Sequence, residues 1–319
     1  METRNDDGFA DMMKDRTYEA LLSAHQDIGR LILTDFPDHD NVGDSAIALG
    51  ELEFCERSRI EVRSSHCIGT SPGMFDADCA VALHGGGNFG GLYPDHDAYR
   101  YHLARSLPKD TVLIQEPQTV HFVSESARSE FRQRMASRYG LRILVRDQES
   151  YDTLRGDVAH LFLTPDAAHM LGEIAVPPPS KEAVFLLRRD EESRLVRSPG
   201  LESVDWPRYH GPRWMNVHLR SSIAKRMPGA LAEMVNPSPK GWERIARTRL
   251  SWGISVLQAG ETVVTDRLHA MILALHMGRR VIAIDNNNRK LSRYAETWFG
   301  GSDANVEFVA DVSEANARL

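Results

Sequence analysis

The sequence predicts an α/β protein built as two Rossmann-like domains that face one another across a cleft. Three observations lead there. At 319 residues, with 42% hydrophobic and 26% charged positions, the chain has ordinary globular composition and exceeds one typical domain. Short apolar runs alternate with segments of helical period, the mark of a parallel sheet covered on both faces. That rhythm breaks at AVPPPSKEA, residues 175–183, where three consecutive prolines forbid helix and favour an extended connector. The expected domains are therefore residues 1–176 and 182–319.

In the first domain the strands read as LILTDF (31–36), CAVALHG (79–85), TVLIQEP (111–117) and LRILVRD (141–147). Each is followed by a helical segment: SAIALGELEFCERS, AYRYHLARSL, SESARSEFRQRMASRYG and QESYDTLRG. The second domain opens with the strand AVFLLRRD (183–190), passes through a Trp-, Pro- and Arg-rich stretch without clear pattern (200–238), and enters a long helix, KGWERIARTRLSWGISVLQAG. Then follow the strand ETVVTD (261–266), the helix RLHAMILALHMG closed by Gly278, the strand RVIAIDN (280–286), the helix RKLSRYAETWFG and the strand VEFVAD (306–311).

Composition excludes several classes of function. No apolar run approaches the roughly 18–20 residues of a membrane helix, and the acidic start METRNDDGFADMMKDR lacks the basic and apolar regions of a secretion signal. A cytoplasmic protein is expected. Cys55, Cys67 and Cys79 have neither CxxC spacing nor an even count, so no disulfide framework or zinc site follows, and DHDNVG at 38–43 fails as a calcium loop because Val42 and Leu49 stand where ligands belong. No metal is expected. Net charge is −7, which argues against a nucleic-acid partner. Its distribution is uneven: residues 1–180 hold 17 basic against 29 acidic side chains, net −12, and residues 181–319 hold 21 against 16, net +5. The second half is better suited to an anionic ligand, although a solvated basic face would carry the same charge.

Ligands of open α/β sheets collect at the C-terminal ends of strands, and four strand-end loops stand out. PDHDNVGDSA places Asn41, Gly43 and Asp44 in a turn opening a helix near Ser45, which also fits a plain helix cap. HGGGNFGG (84–91) holds glycines, among them Gly86 and Gly87, that let a ligand approach the backbone. It formally satisfies GxGxxG, but LYPDHD interrupts the helix that a dinucleotide site needs, and a tight structural turn is the alternative. LLRRDEE carries Arg188 and Arg189, of which one should face the cleft and can bind a carboxylate or phosphate unless it pairs with Asp190 or Glu191. TDRLHAM (265–271) is the most informative: a cap at Thr265 or Asp266 puts Arg267 and His269 in the first helical turn, where free N–H groups, guanidinium and imidazole converge as an anion receptor. The competing reading pairs Arg267 with Asp266 and packs His269 internally.

NVGDSA, the strand leading into HGGGNFG, LVRD with QES, TPDAA, LLRRDEE and VVTDRLHAMILALHMGRRVIAIDNNNRK together resemble the polysaccharide pyruvyl transferase family, in order from about residue 30 to 300. The resemblance implies a GT-B-like two-domain fold. It also implies transfer of the pyruvyl unit of phosphoenolpyruvate to two hydroxyls of one sugar of an exopolysaccharide or cell-surface glycan, forming a ketal and releasing phosphate. Phosphoenolpyruvate is then a co-substrate, and no further cofactor is expected. The family's donor site maps onto Arg267, His269 and Arg188, and the basic half adds Arg189 and Lys290. His269 is expected as the acid that protonates the methylene carbon, and Asp44 as acceptor of a hydroxyl proton. Asn41, Asp44, Gly86, Gly87 and Asn88 would face the sugar acceptor. Arg146 and Asp166 also lie at strand ends, and no role is assigned to them. A lipid-linked oligosaccharide acceptor would bring peripheral membrane association. The rival readings are a GT-B glycosyltransferase using a nucleotide sugar and a non-catalytic sugar- or anion-binding protein.

Overall fold

A computed structural model describes residues 8–70, 78–189, 203–207, 211–227, 229–285 and 289–319. The first part of the chain forms α1 (Phe9–Ala24), β1 (Arg30–Thr34), α2 (Val42–Arg57), β2 (Glu61–Ser65), β3 (Ala80–Leu83), β4 (Gly86–Phe89), α3 (Pro94–Ser106), β5 (Leu113–Val120), α4 (Glu125–Phe131), β6 (Leu141–Val145), α5 (Gln148–Leu154) and β7 (Leu161–Leu163). The second forms β8 (Lys181–Leu186), β9 (Ser203–Val204), α6 (Pro212–Ala224), α7 (Gly229–Val235), α8 (Pro239–Leu257), β10 (Gly260–Thr265), α9 (Leu268–His276), β11 (Arg280–Ile284), α10 (Lys290–Trp298), β12 (Val306–Val309) and α11 (Val312–Ala317).

The strands make two parallel sheets, β2-β1-β3-β5-β6-β7 with β4 added on β5, and β12-β11-β10-β8-β9. Each order reverses once, beside β1 and β3 in the first sheet and beside β8 and β10 in the second. Ligand crevices of α/β proteins open at such reversals. Register aligns the strand ends there: Thr34 lies opposite Leu83, and Thr265 opposite Leu186. The loops that follow β1, β3, β8 and β10 are thus the ones the two sheets point at each other.

The two units share one continuous core. Phe36, Val42, Ala46, Leu49 and Ala168 from the first side belong to the same apolar cluster as Leu186, Trp242, Ile245, Met271 and Tyr294 from the second. Helix α2 lies at the centre of that contact. A methyl group at Gly50 would stand 1.9 Å from the Ala167 carbonyl oxygen, so α2 meets the turn at Ala167–Leu171 this closely only because Gly50 has no side chain. Helix α1 clasps both units: the ring of Phe9 meets His169, His276 and Phe299 edge-on, and Arg16 donates to the Trp298 carbonyl at 2.9 Å.

Several local expectations are corrected. Helix α2 begins at Val42, three residues before Ser45, because Asn41 caps it by accepting from the Gly43 amide at 2.9 Å. The glycine run forms the short strand β4, and no helix starts until Pro94, so the dinucleotide fingerprint has no helix to act through. The patternless stretch folds in its described part as β9, α6 and α7. The acidic N-terminal segment, assigned no element from sequence, is helical from Phe9. Among the described residues, no helix is long and apolar enough to cross a membrane.

Candidate active site at the interdomain cleft

Helices α2 and α9 begin at opposite walls of the cleft with their first turns in contact. A Cβ on Gly43 would lie 2.3 Å from His269 Nδ1, so the imidazole rests directly on the backbone of α2. Arg267 is itself the N-cap of α9 and makes no capping bond through its side chain; Thr265 Oγ1 instead accepts from the Arg267 amide at 3.1 Å. This corrects the expected cap at Thr265 or Asp266 and leaves the first turn of α9 without a side-chain cap. Uncapped amides and the positive end of the helix dipole favour an anion at that point.

The other side of His269 is held by the first domain. His269 Nε2 lies 3.2 Å from Asp166 Oδ2, and Arg146 Nη1 donates to the same oxygen at 2.6 Å. With guanidinium and carboxylate both on the Nε2 side, Nε2–H donates to Asp166 and Nδ1 faces the start of α2. Asp166 is fully buried. Burial opposes its ionisation, but His269, Arg146 and the Ala168 amide outweigh that cost and hold its carboxyl far below the usual range. Arg146 is fixed in turn by Thr119, whose Oγ1 accepts from Nε at 2.9 Å and donates to Asp147 Oδ2 at 3.0 Å.

Asp44 lies in the first turn of α2, accepts from Asn41 Nδ2 at 2.8 Å, and sits 3.4 Å from His39 Nε2. Burial opposes its charge as well, yet His39, His84, His269 and Arg146 together lower its pKa, so it stands ionised with 23% of its side chain open to solvent. Gly86 and Gly87 border the same space: a Cβ on Gly86 would be 3.8 Å from Asp44 Oδ1, and one on Gly87 would be 3.1 Å from Arg146 Nη2. His84, at the end of β3, is buried with Nδ1 3.0 Å from Glu51 Oε2. Burial would lower its pKa, but Glu51, Asp44 and Asp35 raise it to about 9, which keeps a positive charge beneath the loops that follow β1 and β3.

The remaining sequence-derived candidates are placed differently. Asn41 is the cap of α2. Asn88 is turned inward: its Oδ1 accepts from Arg100 and from Gln118 Nε2 at 2.9 Å, and its Nδ2 meets His96 Nδ1 at 3.0 Å, so its amide ties the turn together. Arg267 reaches Asp205, with Nη2 at 2.6 and 2.8 Å from its two oxygens, and its charge also acts on Asp266. Arg189 directs its guanidinium to the Ser203 carbonyl and its amide to Asp205. Arg188 anchors its amide on Asp266 Oδ1 at 2.9 Å, and burial pushes the Asp266 carboxyl upward. Lys290 is the first residue of α10 and half-buried; Asp190 and Glu191, weighed as partners of the arginines, lie outside the described residues. Among the described residues, no three His, Cys, Asp or Glu side chains group as a metal site.

The geometry therefore assembles Arg267 and His269 at an open helix start, against Asp166 and Arg146, with Asp44 across the gap. The profile of the family described as polysaccharide pyruvyl transferase matches residues 41–288, which include every one of these groups. The chain belongs to that family. Membership in the polysaccharide pyruvyl transferase family makes it a transferase. Pyruvyl transferase 1 of Schizosaccharomyces pombe is 29% identical over 292 residues, covering 86% of this chain and 71% of the relative. EpsO of Bacillus subtilis, named a putative pyruvyl transferase, is 28% identical over 282 residues, 85% of this chain and 86% of the relative. A solved structure, that of a functionally uncharacterized protein of Klebsiella pneumoniae, superposes with a TM-score of 0.62 at 20% identity over 93% of this chain and 98% of that one. It shares the two-domain, GT-B-like fold.

Arg146, Asp166 and Asp205 are site residues to which the sequence alone assigns no role. The first two carry a usable signal, since Arg146 directly follows β6 and Asp166 lies three residues past the end of β7. Asp205 has none, because it sits in the patternless stretch.

Proposed function

We propose that the protein transfers the pyruvyl unit of phosphoenolpyruvate to two hydroxyls of a sugar in a glycan, forming a cyclic ketal and releasing phosphate. One observation carries the reading: His269, at the uncapped start of α9, is clamped by a buried carboxylate from the other domain. Phosphoenolpyruvate is a small multiply charged anion, and Arg267, Arg188, Lys290 and the helix end supply the cationic receptors that it needs. Arg146 adds a guanidinium from the first domain.

Asp166 orients the imidazole of His269, which delivers a proton to the methylene carbon. The carbon that bears phosphate then becomes oxocarbenium-like and is attacked by the first sugar hydroxyl, whose proton Asp44 accepts. Loss of phosphate, eased by the surrounding positive charge, regenerates an oxocarbenium centre. The second hydroxyl closes the ketal; its proton returns to His269, and the proton taken by Asp44 leaves with the phosphate as hydrogen phosphate. Gly86 and Gly87 let the sugar approach backbone on the acidic side.

The test is an acceptor screen that follows phosphate release from phosphoenolpyruvate, together with thermal shifts against phosphoenolpyruvate and UDP-sugars. Acceptor-dependent phosphate release with stabilisation by phosphoenolpyruvate is expected. Stabilisation by a UDP-sugar alone would overturn the reading in favour of a glycosyltransferase, and stabilisation without turnover of any acceptor would leave a binding protein.

A further inference from the structure

Helices α6 and α7 form a hairpin whose outer side is apolar and exposed. On α6, Met215, Leu219 and Ile223 repeat at a spacing of four residues and are 60%, 61% and 39% exposed. On α7, Leu231 and Met234 are 53% and 79% exposed. Five large apolar side chains in water on two consecutive helices exceed the scattered exposure expected of a soluble surface. The inner side is fully engaged: Val217, Ser221, Ala224 and Ala232 are buried, Ser221 Oγ meets Cys67 Sγ at 3.1 Å, and Asn236 Nδ2 donates to the Ser65 carbonyl at 2.8 Å. Arg220 bonds the Val235 and Asn236 carbonyls and so locks the two helices together.

The charge around this face selects its occupant. Residues 211–240 contain five basic side chains against one acidic, a net +4 in a chain of net −7. Arg226, three residues after Ile223, and Lys240, at the start of α8, are exposed. Exposed apolar side chains on a segment of net positive charge suit the headgroup boundary of an anionic membrane. We propose that the α6–α7 hairpin docks the protein on an anionic lipid bilayer.

The location gives docking a consequence. Lys225, at the end of α6, pairs with Asp38 at 2.9 Å, in the loop that leads into Asn41 and Asp44. Arg249 of α8 donates to the Pro37 carbonyl at 3.2 Å in that loop. The hairpin therefore adjoins the acceptor wall of the cleft, and a bilayer under it would deliver a sugar carried on a lipid to that wall. This use rests on the pyruvyl-transfer reading; the membrane contact itself does not.

The experiment is co-sedimentation of the full chain with vesicles of phosphatidylcholine alone and of phosphatidylcholine with phosphatidylglycerol, in low salt and in high salt. Binding to the anionic vesicles, weakened by salt, is expected. The triple variant M215S/L219S/I223S should lower the partition constant at least tenfold, and Arg226→Glu about five-fold or more. All four positions face solvent, so melting temperatures should stay unchanged, and Tyr139→Ser, which removes an exposed ring of the first domain, should bind as the wild type does. No sedimentation with anionic vesicles, or sedimentation that the triple variant retains, overturns the proposal. So does a concentration-dependent dimer that the triple variant abolishes, which would assign the face to a second copy of the chain. Turnover of a water-soluble acceptor should be equal in wild type and triple variant. If no acceptor is turned over while vesicle binding follows the pattern above, pyruvyl transfer fails and the membrane surface stands.

Discussion

His269 and His276 stand about two turns apart on one helix, and their surroundings give them opposite chemistry. At the start of α9, His269 faces a buried carboxylate and a guanidinium and keeps 14% of its side chain open. At the end, His276 is enclosed: Nδ1 bonds the Gly172 carbonyl at 2.6 Å and Nε2 meets His169 Nδ1 at 2.8 Å. Burial pushes the pKa of His276 down to about 4, and burial beside His276 holds that of His169 well below its ordinary value, so both are neutral. Tyr294 continues the chain, bonding His169 Nε2 at 2.9 Å and accepting from the Asp166 amide at 2.9 Å. One end of the helix thus stands in a charged, partly open cluster and the other in a dry structural joint, connected through Asp166. Burial disfavours a charged imidazole; a carboxylate hydrogen-bonded to it favours the charge.

The largest expected effect breaks the comparison at its active end. His269→Ala should lower turnover at saturating phosphoenolpyruvate and acceptor by about 10²–10⁴-fold, the usual weight of a general acid, with little change in melting temperature. A variant that loses donor affinity but keeps its saturated rate would make His269 a phosphate ligand and no more. Next is Asp166→Ala, which leaves the buried Arg146 without its carboxylate and should cost about 3–5 kcal/mol in urea denaturation, besides releasing His269. A loss under about 1 kcal/mol would mean that the cluster is hydrated and loosely held.

A third histidine sharpens the rule. His84 is nearly as buried as His276 but has Glu51 beside it, and its pKa is raised to about 9. Because the folded value exceeds the unfolded one near 6.5, its stabilisation is present in full below pH 6.5 and is lost as pH rises through about 9. The stability difference between wild type and His84→Gln should therefore shrink over that window by on the order of 3 kcal/mol. A difference independent of pH across that window would show that His84 is neutral in the fold. The smallest effect belongs to the structural joint: His276→Leu should destabilise by about 1–3 kcal/mol through the unpaired Gly172 carbonyl and His169, yet leave turnover at room temperature unchanged. A parallel fall in turnover would mean that the two ends of α9 are not separable.

Much of this arrangement is legible in the amino-acid order. The βα rhythm marks most strands of both sheets because a strand buried on both faces must be continuously apolar, and the RLH segment marks the start of α9 because a glycine-ended apolar helix follows it. Asn88 illustrates the limit. Its place in a glycine-rich strand-end loop suggests a ligand contact, but Arg100, Gln118 and His96 arrive from elsewhere and consume its amide. Helix α1 escapes notice for a related reason: its polar composition hides an apolar side that is needed only because Phe9 bridges two units.

Local order in the chain is enough to identify most of the strands and helices of the two sheets, because periodicity, proline and glycine act over a few residues. Which of those segments meet is settled by packing. Asp166 lies 103 positions from His269, Arg146 lies 123 from it, and Asp205 lies 62 from Arg267. No pattern of neighbouring residues encodes such pairs; they arise when α2 and α9 seat against one another over a shared apolar core.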